Sequence, residues 1–445
     1  MTSDVGTRLA NRILWGLLVG AAAGGVTLLV GEAYPPLLDA ARKFATLVLE
    51  PIGQVFLRML FFVIIPLIFA SLATGVAQLD RLGQLGPMAV RTFILFFLNM
   101  AIAVTLGLVM MNVLAPGHAM EPDSRARLLA EYGGDAAAHV AKRADAPDVT
   151  PMSIVDMFMP RNLFGAFIGN NRNALGDVLP LILFAILVGA AALKLAPDRR
   201  DQLRSGLSLV NDLMTGIVHF ALKLAPFAVP AMIYSVVVKI GWDIVIALGV
   251  FVAGCMAMML LHLFGTMSIW LRLLARRNPL ATFKIMRPVL VTAFSTSSSA
   301  ASLPTALAAA REDLGVKAPV AGFVLPLGTT MNMSGTALFE GCVVLFIAQV
   351  FGIELGFAQQ VTLVLLAVLS AVAVAAIPGG ALPMVAGLLA AFGIPPEGIG
   401  IILGVERLLD MTRTMVNVGS DVVTTIVVDH FTKLEHQPAA VRDRA

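Results

Sequence analysis

The chain has 445 residues, 58% of them hydrophobic and only 13% charged, against about 25% charged in ordinary soluble domains. That composition excludes a water-soluble globular protein and places the chain in a bilayer. The formal net charge of +3 does not point to nucleic acid, because the positive residues sit in short loops between apolar runs, where they encode orientation.

Six apolar runs of spanning length come first: residues 13–33, 44–78, 88–115, 174–196, 206–238 and 242–275. Several exceed the roughly 20 residues that cross the hydrocarbon, so tilted helices are expected. The opening "MTSDVGTRLANR" puts Arg8 and Arg12 ahead of the first run and reads as a retained first helix, not a cleaved signal. With the N-terminus inside, the cytoplasmic connections hold Arg81 and Arg91, then Lys194, Arg199, Arg200 and Arg204, then Arg272, Arg276, Arg277, Lys284 and Arg287. The external turn at 238–243 has only Lys239, a bias that fits this orientation. Residues 117–150 form the one long polar insertion and are expected to be a mobile external connector. Cys255 and Cys342 lie within apolar runs and offer neither a disulfide framework nor metal-ligand spacing. His219, His262, Lys223 and Arg58, in or near the runs, read as packing or snorkelling residues.

After about residue 280 the apolar segments become interrupted. Residues 281–313 break at "STSSSAASLP" between two basic flanks, which predicts a re-entrant hairpin from the cytoplasmic side. Residues 317–351 span but carry "LGTTMNMSGT" at mid-depth; residues 358–392 break at "AIPGGALP", a second hairpin from the opposite side; residues 397–430 close with "DMTRTMVNVGSD". Unpaired backbone groups cost several kcal/mol against lipid, so the breaks must line an enclosed cavity. The expected fold is an all-α membrane protein of eight transmembrane helices plus two re-entrant helical hairpins, arranged as inverted repeats around a midplane site.

Asp410, Arg413, Thr414, Asn417 and Asp421 stand at offsets of 0, 3, 4, 7 and 11, within about 100° of helical arc. One reading is an internal Asp410–Arg413 salt bridge in a structural seam. The other assigns tasks: a guanidinium for a carboxylate and Asp410 for an ammonium, which together describe an acidic amino acid. Gly328, Thr330 and Asn332, where a span unwinds, offer oxygens that with Asn417 and Asp421 make a cage for a hard cation such as Na⁺; a glycine kink that only improves packing is the alternative. Ser298 and Ser299 either cap a helix or hold a main-chain carboxylate beside helix N-terminal amides. Pro378, Gly379 and Gly380 give a second tip able to approach a ligand and gate it. Glu340, in "FEGCVVLF", either carries a proton or stays a neutral hydrogen-bonded acid.

Four stretches, "SSSAASLP", "NMSGTALFEG", "IPGGA" and "DMTRTMVNVGSD", in that order, resemble the glutamate transporter family, the dicarboxylate/amino acid:cation symporters. The resemblance covers nearly the whole chain. It implies an elevator-type homotrimer in a bacterial cytoplasmic membrane with both termini cytoplasmic: residues 1–240 mainly scaffold, with the third span lent to a transport domain over 241–430, and a tail at 431–445. It implies that Arg413 meets the substrate's side-chain carboxylate, that Asp410 meets its amino group, and that Asn417, Thr336 and Ser299 meet its main-chain carboxylate or neighbouring atoms. Ser298, Ile377, Gly379 and Thr414 complete the substrate site. Gly328, Asn332, Asn417 and Asp421 would form one sodium site, and the Thr330 carbonyl with those of 371–374 another. The coupling ions implied are Na⁺ and/or H⁺, with no organic cofactor and no nucleic acid partner. The sequence departs from the family at Ser334, where an aspartate is usual, at Phe96 and Met100, where a tyrosine and a hydroxyl residue are usual, and at Ala381, where glycine is common. A remaining sodium site is therefore expected to be absent or feeble, with Glu340 as the proton carrier. A C4-dicarboxylate or neutral amino acid carrier is the nearest rival; Asp410 argues against the first and Arg413 against the second. An intramembrane serine hydrolase would need a base near Ser297, Ser298 or Ser299, yet His262 and His430 fall near span ends. A channel would need a continuous polar pore, whereas the polar groups cluster at one depth.

Overall fold

The structure, a computed structural model, describes residues 2–77, 86–119, 159, 161–164, 178–374 and 381–432. The described residues are helical, with no strand among them. Three of their helices are long and apolar enough to cross a membrane: Pro87–His118, Asp243–Leu273 and Ala318–Val350. Most of the insertion at 117–150, the second tip at Ile377, Pro378, Gly379 and Gly380, and the tail beyond Thr432 lie outside the described residues.

The first run is helix α1 (Thr2–Ala33). The second is not one helix. Helix α2 (Pro35–Phe44) passes through a π-turn at Ala45–Leu49 into α3 (Glu50–Phe62), and the chain breaks at Val63 before α4 (Ile64–Ala77). Pro66 has no N–H to give to the carbonyl of Phe62, so an unbroken α-ladder is barred there. The third run is α5 (Gly86–Leu114), and the fourth ends in α6 (Val178–Ala192). The fifth divides into α7 (Pro197–Leu222) and α8 (Ala225–Ile240), because Pro226 withdraws the donor that the Leu222 carbonyl would need. The sixth is α9 (Asp243–Leu261), continued by a π-turn at His262–Thr266 into α10 (Met267–Leu273).

The interrupted half follows the expected order. Helices α11 (Pro279–Thr296) and α12 (Ser299–Ala308) pack on each other about a break at Ser297 and Ser298. Helices α13 (Ala318–Met331) and α14 (Ser334–Val350) are separated by two non-helical residues, Asn332 and Met333. Helix α15 (Phe357–Ala373) stops before α16 (Leu382–Ala391), and α17 (Ile399–Phe431) ends the described chain. Ala381 sits at right-handed angles, φ −80°, so the position that commonly holds glycine makes no demand for glycine's freedom.

Packing sorts these helices. α1 and α8 lie together with α3, and α4 packs with α6 and α7. In the other group α14 and α17 sit at the centre, with α5, α9, α11, α13, α15 and α16 around them. Every residue of α14 from Ser334 to Val350 is buried, which fits a helix apolar on all faces. At the ends of this group Lys317 pairs with Asp429 at 3.3 Å, and Arg91 donates to the Phe431 carbonyl at 2.5 Å. Of the four residues read as packing or snorkelling, Arg58 and Lys223 are exposed and His262 is fully buried.

Candidate functional site

The break between α11 and α12 is built from its own hydroxyls. Ser297 caps α11 in the left-handed region at φ 49°, a conformation that costs an L-residue roughly 1–2 kcal/mol. Ser298 then turns extended, and its hydroxyl accepts the Ala301 amide at 3.2 Å to cap α12. Ser299 is buried at the first position of α12, and α12 packs against α17. The hydroxyl cluster therefore does cap a helix, and it does so where α12 packs beside α17.

The polar stripe of α17 is buried throughout. Asp410, Arg413, Thr414, Asn417 and Asp421 are each at most 4% exposed. Arg413 Nη2 bonds Asp410 Oδ1 and lies 3.6 Å from Glu406 Oε1. Arg407 Nη1 approaches Asp410 Oδ2 at 3.4 Å. The pairing required of a structural seam is present, yet it is incomplete. Arg413 Nη1 is buried without a hydrogen-bond partner, as is Glu406 Oε1. The guanidinium carbon of Arg413 stands 5.0 Å from the ring centre of Phe339, which leaves the charge stacked on an aromatic face with one nitrogen unused. Glu340, next in α14, is fully buried, and neither of its oxygens has a hydrogen-bond partner.

Asn417 has a task that the sequence reading did not assign. Its Oδ1 accepts the amides of Gly335 at 2.8 Å and Thr336 at 3.2 Å, and its Nδ2 donates to Thr336 Oγ1 at 3.0 Å. Its side chain thus caps the start of α14 from a neighbouring helix. In this arrangement the Asn417 side-chain oxygen is committed to two amides, so only its backbone carbonyl, which also accepts Ser420 Oγ at 2.8 Å, remains for a cation.

Asp421 lies directly on Gly328. A Cβ at position 328 would stand 2.5 Å from Asp421 Oδ1, so the carboxylate occupies space that any side chain there would fill. Asn332 Nδ2 donates to the same oxygen at 2.9 Å. Gly328 is in the last turn of α13, whose terminal carbonyls lack onward helical partners; Asn332 N returns to the Gly328 carbonyl at 3.0 Å, and a carbonyl keeps a second lone pair. A buried carboxylate beside the carbonyl end of a broken helix suits a hard cation. Thr330 is exposed, and its hydroxyl turns back to the Leu327 carbonyl. At the end of α15 the Val374 amide donates to the Ala371 carbonyl at 3.2 Å.

Three neighbours escaped the sequence reading. Glu406 lies seven residues before Arg413 and four before Asp410, on the same stripe, so extending the helical spacing by one turn would have found it. Arg407 follows from its spacing of three to Asp410. Asn99 of α5 donates to Asn332 Oδ1 at 2.9 Å, and no local pattern announces it. The departures at Phe96, Met100 and Ser334 are all buried; Ser334 Oγ lies 3.0 Å from Ser420 Oγ. His262, with both ring nitrogens unpartnered, is bonded to no serine, which leaves a serine hydrolase without that base.

With the broken ends of α13 and α14 set against the buried charged stripe of α17, comparison with known proteins is decisive. The family model described as the sodium:dicarboxylate symporter family matches residues 9–431. The chain belongs to that family. It is a family of membrane transporters, which accords with the buried polar stripe and the apolar helices around it. The proton/sodium-glutamate symport protein of Bacillus subtilis (strain 168) is 30% identical over 428 residues, 94% of this chain and 92% of its own length. The proton/glutamate-aspartate symporter of Escherichia coli (strain K12) is 28% identical, with 96% and 93% covered. The C4-dicarboxylate transport protein of Deinococcus radiodurans is 30% identical, with 90% and 85% covered.

Proposed function

We propose that this chain is a secondary active symporter that takes up an acidic amino acid, L-glutamate or L-aspartate, together with Na⁺ and/or H⁺. The observation that carries the reading is Arg413, a buried guanidinium with Nη1 unpartnered and Asp410 on its Nη2. A substrate's side-chain carboxylate takes Nη1 and competes with Asp410 and Glu406 for Nη2. The released Asp410 carboxylate accepts the substrate ammonium, so one exchange of partners satisfies both charges. Ser298, Ser299, Thr414 and the first amides of α12 surround the main-chain carboxylate; Asn417 and Thr336 join only by giving up their mutual bond. Ile377 and Gly379 close over the substrate from the second tip. Asp421, Gly328 and Asn332 hold the coupling cation, Thr330 with the end of α15 holds a second that depends on closure, and Glu340 carries the proton.

The same reading supplies the architecture. Eight membrane spans and two re-entrant hairpins place α11/α12 and α15/α16 at the midplane from opposite faces. Residues 241–430 with α5 move as a transport domain against the scaffold of a homotrimer, in a bacterial cytoplasmic membrane with both termini inside. A second reading, a C4-dicarboxylate carrier, is favoured by Arg407, whose approach to Asp410 lets that acid be neutralised without a substrate ammonium.

Purified protein in liposomes, given labelled aspartate, glutamate, succinate and serine under separately imposed Na⁺ and H⁺ gradients, tests the assignment. The expected result is uptake of an acidic amino acid that unlabelled succinate competes for poorly. Arg413→Cys should abolish acidic uptake while sparing or admitting a neutral substrate; normal aspartate uptake by that variant would overturn the assignment, and succinate uptake without aspartate uptake would select the second reading.

A further inference from the structure

We propose that Asn99 closes this carrier to one more coupling cation by seating a neutral amide where such an ion would stand. The inference rests on the cation role given above to Asp421. Phe96, Asn99 and Met100 lie on one buried face of α5, turned toward α13, α14 and α17. Two of the three carry no ligand atom suited to a hard cation, since an aromatic ring and a thioether are poor substitutes for oxygen. The third meets Asn332 head on, with Nδ2 at 2.9 Å from Oδ1.

The direction of that bond is fixed from the far end. As a carboxylate Asp421 only accepts, so Asn332 must present Nδ2 to its Oδ1, as it does at 2.9 Å. Asn332 then has only its Oδ1 to offer α5, and Asn99 must answer with an N–H. Turning either amide over would set two oxygens against each other. The carboxylate therefore orients a relay of two amides, Asn99 to Asn332 to Asp421, and the positive end of the Asn99 dipole occupies the approach to Asn332 Oδ1. The cost is visible at the other end of the side chain, where Asn99 Oδ1 is buried without a partner. Leaving a buried acceptor unpaired is unfavourable, so the orientation is imposed by Asn332 and not by the surroundings of Asn99 itself.

The remaining oxygens here are also committed. Ser334 Oγ and Ser420 Oγ face each other at 3.0 Å, and Ser420 donates to the Asn417 carbonyl at 2.8 Å. A cation between α5 and Asn332 would have to expel the Asn99 hydrogens and would find no carboxylate there in exchange, while the one unpartnered neutral oxygen, Asn99 Oδ1, faces Asn332 only if the amide turns over. Two changes are needed to open the place: an oxygen without an N–H at 99, and a negative charge at 334.

The test compares wild type, Ser334→Asp and Asn99→Ser/Ser334→Asp, with Asn99→Thr/Ser334→Asp as the variant closer in volume should the serine form not fold. In liposomes the ratio of radioactive sodium to labelled substrate taken up is measured; in detergent the shift of melting temperature on adding NaCl, against choline chloride, is measured on the same proteins. The expected result is a wild-type ratio and sodium shift for Ser334→Asp alone, and in the double variant a ratio higher by about one ion with a larger sodium shift. A gain in Ser334→Asp alone equal to that of the double variant would overturn the proposal, as would folded double variants with no gain in either measurement. If the wild type takes up no acidic amino acid, the substrate reading fails, while the melting-temperature arm still decides the part played by Asn99.

Discussion

The contact between Gly328 and Asp421 makes a sharp demand on one methyl group. In Gly328→Ala the new Cβ would stand 2.5 Å from Oδ1 and 2.7 Å from Cγ of Asp421. Ordinary contact begins near 3.4 Å, so the carboxylate must withdraw by 3.4 − 2.5, about 0.9 Å, in a core with little slack. Overpacking of this kind costs roughly 1–3 kcal/mol, partly offset by about 1 kcal/mol of helix propensity gained on replacing glycine by alanine. The fold should therefore survive. Cation binding should not, because ligand distances are tolerated to about 0.2 Å and the displacement is several times larger. A loss of about 1.4–2.8 kcal/mol in cation affinity corresponds to a roughly 10- to 100-fold higher half-saturating concentration. Gly322→Ala on the same helix is the control, since a Cβ there meets nothing within 4 Å. Initial rates of labelled substrate uptake in liposomes, measured against Na⁺ at fixed pH and against pH at fixed Na⁺, give the half-saturation values. A Gly328→Ala protein within about twofold of Gly322→Ala on both axes would remove Asp421 from the cation site.

Three further outcomes follow from neighbouring contacts. Glu340→Gln should lower uptake driven by a proton gradient by about tenfold or more while leaving exchange of labelled for unlabelled substrate within about twofold, since a glutamine keeps the volume but not the proton. Glu406→Gln removes one competitor for Arg413 Nη2, so KM for the acidic substrate should fall, by roughly tenfold if the coupling is near 1.5 kcal/mol; an unchanged KM would mean that Glu406 does not compete with substrate. Asn417→Ala leaves the Gly335 and Thr336 amides buried without an acceptor, a penalty of about 1–3 kcal/mol for each, whereas Asn417→Asp keeps both acceptors; melting curves in detergent should separate the two variants, and equal melting would deny the cap.

The stripe on α17 could be read directly from residue numbers, because 3.6 residues per turn fixes which side chains share a face before any partner is known. The breaks at Ser297–Ser298 and Asn332–Met333 were legible for a related reason: runs of small and hydroxyl residues offer local caps that compete with a continuous helix. Pro66 and Pro226 carried the same kind of signal, and it was missed in runs whose hydropathy alone was read as unbroken. What spacing along one helix cannot supply is the partner across the gap. Asn99 meets Asn332 across 233 positions of chain, and Asn417 caps a helix that begins 83 residues earlier. Those pairings, the incomplete neutralisation of Arg413 and the seat of Asp421 on Gly328 were decided by tertiary packing, since a buried polar group takes whichever complementary atom the folded core brings within about 3 Å, and neither periodicity nor propensity encodes that distance.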